Sequence, residues 1–207
     1  MQNETISNTA KNKISNNYNM PIVNGNGTYT FTNNGLLLTN NCHGEVEYPL
    51  QKNQKWSWRG KAKITSFSQN SFQGILRANV DNPGVYFNYN YNIMQCKLIG
   101  VDNVGYVYYN SDLVQPVQGG RGWGFNNFDK TAIHDYVYTC DGNIIKFYCD
   151  GQLFCSQNSI NMLEPTKIGI GATAQDSIYY AKEILINKFQ VWDDTLTAEE
   201  VVELYNS

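Results

Sequence analysis

The chain has 207 residues, 42% of them apolar, and 18 acidic against 15 basic side chains leave it a net charge of −3. That balance offers no basic face to neutralise phosphates, which argues against nucleic acid as a partner, and no run of about 18 apolar residues is available to span a membrane. Only 16% of residues are charged, against roughly 25% in an average soluble protein. The polar surface must therefore come from Asn, Ser, Thr, Gln and Tyr, residues that favour turns and half-buried strands.

Residues 1–20 are rich in Asn, Ser and Lys and show neither period 2 nor period 3.6. They are expected to form a flexible arm, or one that orders against a protein partner or a neighbouring subunit. The first residues lack the basic and apolar regions of a secretory leader. Residues 21–207 read as one domain of strands and turns. The pattern 29–32, Asn33-Asn34-Gly35, 36–39 is a hairpin. Lys52, Lys55, Arg59, Lys61 and Lys63 interleave with Trp56 and Trp58. This predicts a strand with both tryptophans packed inward and the charges on a solvated face. Strict alternation over 85–91 predicts a half-buried strand, and 75–77, 94–101 and 105–109 supply three more. Between 136 and 155, Asp141-Gly142 and Asp150-Gly151 separate three strands. Asp-Gly is the strongest short hairpin signal, because a type I′ turn needs positive φ at both central residues. Ile145, Phe147, Cys149 and Phe154 are assigned to the core face. Strands at 168–171 and 183–192 precede a short helix. There Thr197 and Glu200 have capping-box spacing, and Val201, Leu204 and Tyr205 share a face.

The five cysteines, Cys42, Cys96, Cys140, Cys149 and Cys155, contain no C-x-x-C pair, and His43 and His134 are the only histidines. The usual zinc and redox spacings are absent. Reduced, mostly buried thiols are expected, a disulfide among the last three being the disfavoured alternative.

Two segments resemble family signatures. Ile145-Lys146-Phe147-Tyr148-Cys149-Asp150-Gly151 is similar to the aromatic-x-Asp-Gly hairpin of laminin G-like and pentraxin-like domains. The phrase from Phe189-Gln190-Val191-Trp192-Asp193-Asp194 through Thr195-Leu196-Thr197-Ala198-Glu199-Glu200-Val201 resembles the closing strand and helix of the same family. The resemblance covers 135–207 well and the rest only in strand rhythm. It implies membership of the concanavalin A-like lectin/glucanase superfamily. The implied fold is all-β, an antiparallel two-sheet jelly-roll sandwich with one short C-terminal helix. That fold hosts both lectins and glucanases, so function has to come from the site.

A glycosidase of this fold needs paired carboxylates about 5–5.5 Å apart for retention. Glu45-Val46-Glu47 has the same-face spacing but lacks a third acid and an aromatic platform, and no catalytic residue is assigned. Cys42 with His43, and His134 with Asp135, are strand neighbours that point to opposite faces, so neither pair is a ready dyad. The loop acids Asp102, Asp141, Asp150 and Asp176 lack calcium-loop spacing, and two of them are needed by their turns. No metal and no cofactor is expected. The binding candidates are Arg121, Trp123 and Phe125 in a Gly-rich stretch at 115–128, and Asn88, Asn90 and Tyr108 on a polar, aromatic sheet face. In each case the alternative is ordinary packing, the aromatics of the stretch tucked back on the sandwich or the face simply wet. The resulting expectation is a non-enzymatic binding or structural module. It would be a surface or capsid-associated protein of a virus or phage particle, made in the host cytoplasm and joined to its neighbours by the arm. A glycan-binding lectin-type module is the alternative, with a cytoplasmic location as the alternative address, and a glycoside hydrolase ranks third.

Overall fold

The structure, a computed structural model, describes residues 9–10, 20–23, 27–40, 42–66, 72–79, 92–99, 104–109, 112–113, 129, 131–161, 164–171 and 183–207. In chain order the described strands are β1 (Thr9–Ala10), β2 (Met20–Val23), β3 (Tyr29–Thr32), β4 (Gly35–Thr39), β5 (His43–Glu47), β6 (Lys55–Ser66), β7 (Phe72–Asn79) and β8 (Asn92–Ile99). They continue with β9 (Val104–Tyr109), β10 (Asp112–Leu113), β11 (His134–Asp141), β12 (Ile144–Cys149), β13 (Gln152–Asn158), β14 (Lys167–Ile170) and β15 (Glu183–Trp192), and the helix α1 (Ala198–Tyr205) follows. The strands form two antiparallel sheets, in the orders β1-β2-β5-β14-β7-β8-β9-β10 and β13-β12-β11-β6-β15-β4-β3. The expected antiparallel β-sandwich with one short C-terminal helix is the observed fold. The strand expected at 85–91 lies outside the described residues.

The long strand β6 shows why the sheets pack as they do. Trp56, Trp58, Ala62 and Ile64 alternate along one face and are all at most 2% exposed. They join Leu36, Leu38, Tyr138, Phe147, Ile184 and Ile186 of the same sheet in a core shared with Val46, Leu76, Ala78, Ile168 and Ile170 of the other. The indole of Trp58 stacks on Tyr138 with centroids 5.3 Å apart. Gly60 occupies the same inner face. A Cβ there would sit 2.6 Å from Leu76 Cδ2 and 2.8 Å from Ile170 Cδ1, so the missing side chain lets the two sheets close on each other.

The hairpins follow the sequence with one difference. Between β12 and β13, Asp150 and Gly151 have φ of 51° and 75°, the type I′ pattern. Between β11 and β12, Asp141 still belongs to β11, and only Gly142, at φ 92°, takes a positive value. The Asp141 carboxylate instead accepts the amides of Asn143 and Ile144 at 2.8 and 2.7 Å. Ile145, Phe147, Cys149 and Phe154 all enter the core, as their spacing predicts.

The helix begins with the full capping box. Thr197 accepts from the Glu200 amide, and Glu200 accepts from the Thr197 amide. Its Val201 packs on Val137 and Tyr148, on the outer side of the seven-stranded sheet; Leu204 is half-buried and Tyr205 is 42% exposed. This placement corrects one expectation. Lys52 and Lys55 are exposed and Lys61 and Lys63 half-exposed, but Arg59 has no exposed surface at all. It lies under the helix and not on a solvated face. Of residues 1–20, Thr9, Ala10 and Met20 are described; Thr9 and Ala10 pair with Pro21 and Met20 at the edge of the eight-stranded sheet.

Candidate functional site

The outer face of the eight-stranded sheet presents a row of chemically mixed positions. In β5 and β14, Val46, Ile168 and Ile170 point into the core, so Glu45, Glu47, Lys167 and Gly169 belong to the opposite face. The ladders then run Glu45 to Gly169, Gly169 to Arg77, Arg77 to Gln95, and Gln95 to Tyr108. Glu45, Gly169, Arg77, Gln95 and Tyr108 thus hold successive ladder positions across five strands. Tyr106 lies two residues from Tyr108 in β9, opposite Lys97 in the ladder. Glu45 Oε1 is 3.5 Å from Lys167 Nζ, both side chains being mostly buried, and Glu47 is exposed opposite Lys167 in the ladder. An ammonium therefore stands by Glu45, one of the two acids that the sequence offered as a pair.

Of the binding residues expected from sequence, Tyr108 falls in this row. Asn88, Asn90, Arg121, Trp123 and Phe125 lie outside the described residues. A concavity of about 300 Å³, lined by Tyr48, Pro49, Gln54, Lys55, Trp56 and Asp193, opens where β5 and β6 meet the end of β15. Two of its polar groups are engaged: the Tyr48 hydroxyl donates to Asp193, and Trp56 Nε1 donates to the Gln51 carbonyl at 3.1 Å.

The two histidine pairs also resolve. Cys42 sits in the core, and His43 lies on the outer-face side of β5, buried at 7% exposure. His134 and Asp135 diverge as strand neighbours must. Asp135 turns to Arg59, and His134 turns to the β12–β13 turn. There His134 Nδ1 lies 2.6 Å from Asp150 Oδ2, and His134 Nε2 lies 2.6 Å from the Asp129 carbonyl. Burial pulls the imidazole pKa down, but these two acceptors outweigh it and leave it above its ordinary value. Asp150 Oδ1 takes the Asp135 amide at 2.9 Å. The Cys149 sulfur completes a cluster in which one ligand atom from each of His134, Cys149 and Asp150 lies within 4.8 Å of the others. The sequence reading assigned Asp150 to its turn alone. The available signal was register: with Tyr136 opposite Cys149, His134 falls beside the turn two residues on.

No protein-family model and no curated protein matches the chain. Solved structures do. A Trypanosoma rangeli sialidase aligns over 91% of this chain with TM-score 0.65 and 12% identity, and the same enzyme in complex with sialic acid aligns with TM-score 0.64. The binding domain of botulinum neurotoxin serotype G aligns over 92% of the chain with TM-score 0.56 and 15% identity. The chain spans 29% of the sialidase chain and 47% of the toxin domain. At such identities the likeness establishes the β-sandwich fold alone.

Proposed function

We propose that this domain is a non-catalytic module of the laminin G-like kind that binds glycans on the outer face of its eight-stranded sheet. The observation that carries the reading is the cross-strand row from Glu45 through Gly169, Arg77 and Gln95 to Tyr108. Sugars offer hydroxyls to charged and amide groups and an apolar ring face to an aromatic, and a glycine between two charged positions leaves room for a ring. The structural neighbours, a sialidase solved with sialic acid and a toxin binding domain, support the same class of ligand. Against catalysis stands Lys167, placed by Glu45 and opposite Glu47.

A glycan array tests it, with Arg77→Ala and Tyr108→Ala as variants. Wild-type protein is expected to retain a related group of glycans, to release them uncleaved, and to lose affinity at least about tenfold in either variant, on the scale of a lost interface anchor. Retention of no glycan, or cleavage of one, overturns the proposal.

The second reading is a particle-surface protein assembled through its arm. Thr9 and Ala10 at the edge of the eight-stranded sheet support it, because strand addition by a neighbouring chain uses the same kind of position. Light scattering of the full chain against a 21–207 truncation tests this: an oligomer lost on truncation supports it, and a monomer at all concentrations refutes it.

A further inference from the structure

We propose that His134, Cys149 and Asp150 form a zinc site at the β12–β13 end of the sandwich. The three residues supply one nitrogen, one sulfur and one oxygen within 4.8 Å of one another. Mixed N, S and O donors suit Zn²⁺, whereas calcium and magnesium take oxygen alone. Zinc bonds of about 2.0–2.3 Å place tetrahedral ligand atoms roughly 3.5 Å apart, so on binding His134 Nδ1 and Asp150 Oδ2 open from 2.6 Å by about 1 Å to admit the ion between them. The type I′ turn allows this. With φ of 51°, Asp150 leaves the strand alternation and brings its carboxylate to the side where Cys149 and His134 already point.

The supporting contacts are also in place. A metal-bound imidazole normally donates its other N–H to a carbonyl or carboxylate, which fixes the tautomer. Here Nε2 faces the Asp129 carbonyl at 2.6 Å, which leaves Nδ1 to the metal. Asp150 Oδ1 is held by the Asp135 amide, which leaves Oδ2. Zinc takes its ligands as neutral imidazole, carboxylate and thiolate, so binding releases protons to solvent. The histidine is 7% exposed and the cysteine fully buried. Three protein ligands leave a fourth position for water or a ligand atom.

The test uses the full chain, stripped with a chelator and desalted, then titrated with zinc chloride by calorimetry and with cobalt chloride by absorbance. One equivalent of each ion is expected to bind, cobalt giving tetrahedral d–d bands and a thiolate charge-transfer band. Asp150→Asn keeps the turn, because Asn also tolerates positive φ, and keeps an acceptor for the Asp135 amide. It is expected to weaken zinc at least about tenfold, as a lost metal contact does. Cys149→Ser is expected to abolish the charge-transfer band. Should that variant fail to fold, the wild-type band and Asp150→Asn decide. Absence of stoichiometric binding, absence of the wild-type band, a band that survives in Cys149→Ser, or undiminished zinc affinity in Asp150→Asn overturns the proposal and leaves the cluster as a hydrogen-bonded His134–Asp150 pair.

Discussion

Arg59 and Asp135 form a bidentate ion pair between β6 and β11, with side-chain exposures of 0% and 2%. The pair ties the terminal helix to the sheet. Arg59 Nη1 donates to Gln190 Oε1 on β15 at 2.9 Å, and Nη2 donates to the Leu204 carbonyl in the last turn of α1 at 2.6 Å. The last carbonyls of a helix have no intrahelical partner and favour a nearby cation. The last turn of α1 carries no basic residue of its own, and a strand 145 residues away in sequence supplies it. Ser57 completes the junction, its hydroxyl donating to the Asp194 carbonyl and accepting the Leu196 amide, at 2.9 and 2.8 Å.

Removing one partner of this pair is therefore expected to be costly. Asp135→Ala leaves a buried guanidinium without its carboxylate and should destabilise the domain by about 3–5 kcal/mol, as breaking buried pairs does. Replacing both, as Arg59→Met with Asp135→Leu, removes the two charges together and should recover most of that loss. Urea unfolding of the two variants measures the difference. A double variant no more stable than Asp135→Ala would show that the contacts of Arg59 to Gln190 and Leu204, and not the charge balance, carry the junction.

This junction also marks how far the sequence could be read. Local rules succeeded where the cause was local: the Thr197–Glu200 capping box, the Asp150-Gly151 turn, and the alternation that buries Trp56 and Trp58. Arg59 was misplaced because alternation assigns a face but does not say what covers it. That depends on a helix at the other end of the chain. The insertion of β14 between β5 and β7 is equally non-local, and it alone brings Gly169 and Lys167 beside Glu45 and Glu47. For the same reason Glu45-Val46-Glu47 reads as a bare acid pair in the sequence, whereas in the fold Lys167 pairs with Glu45 and lies opposite Glu47 in the ladder. His134 looked unpaired because its partner, Asp150, is a turn residue in the text and a hydrogen-bonding carboxylate in space.

Burial makes a prediction about the thiols. It pushes Cys42 up to about 11 and Cys155 up to about 12. The thiolate is the reactive form. At pH 8 both should alkylate more than about a hundredfold slower than an exposed cysteine of ordinary pKa near 8.5. Iodoacetamide labelling read by peptide mass spectrometry, in buffer and in urea, checks this. Both should label promptly once the chain is unfolded, and prompt labelling in buffer would place them outside the packed core.

Asp141 gives the pH dependence a definite sign. Burial pushes its carboxyl up, but the Ile144 and Asn143 amides and the Lys146 ammonium outweigh that, and the net shift is below the ordinary 3.8. A folded-state pKa below the unfolded one means that the unfolded chain binds more protons in that window. The stabilisation is therefore fully present above about pH 4 and disappears as pH falls below 3.8 and through the folded value. Asp141→Asn keeps an oxygen acceptor for the two amides and removes the charge. It should lower the urea midpoint at pH 7, and the gap to wild type should narrow steadily as the pH is taken below 3.8. The side chain is exposed, so the effect is small and screened, and added salt should diminish the Lys146 part of it first. A gap that stays constant with pH would assign the effect of the substitution to turn geometry and not to the carboxylate charge.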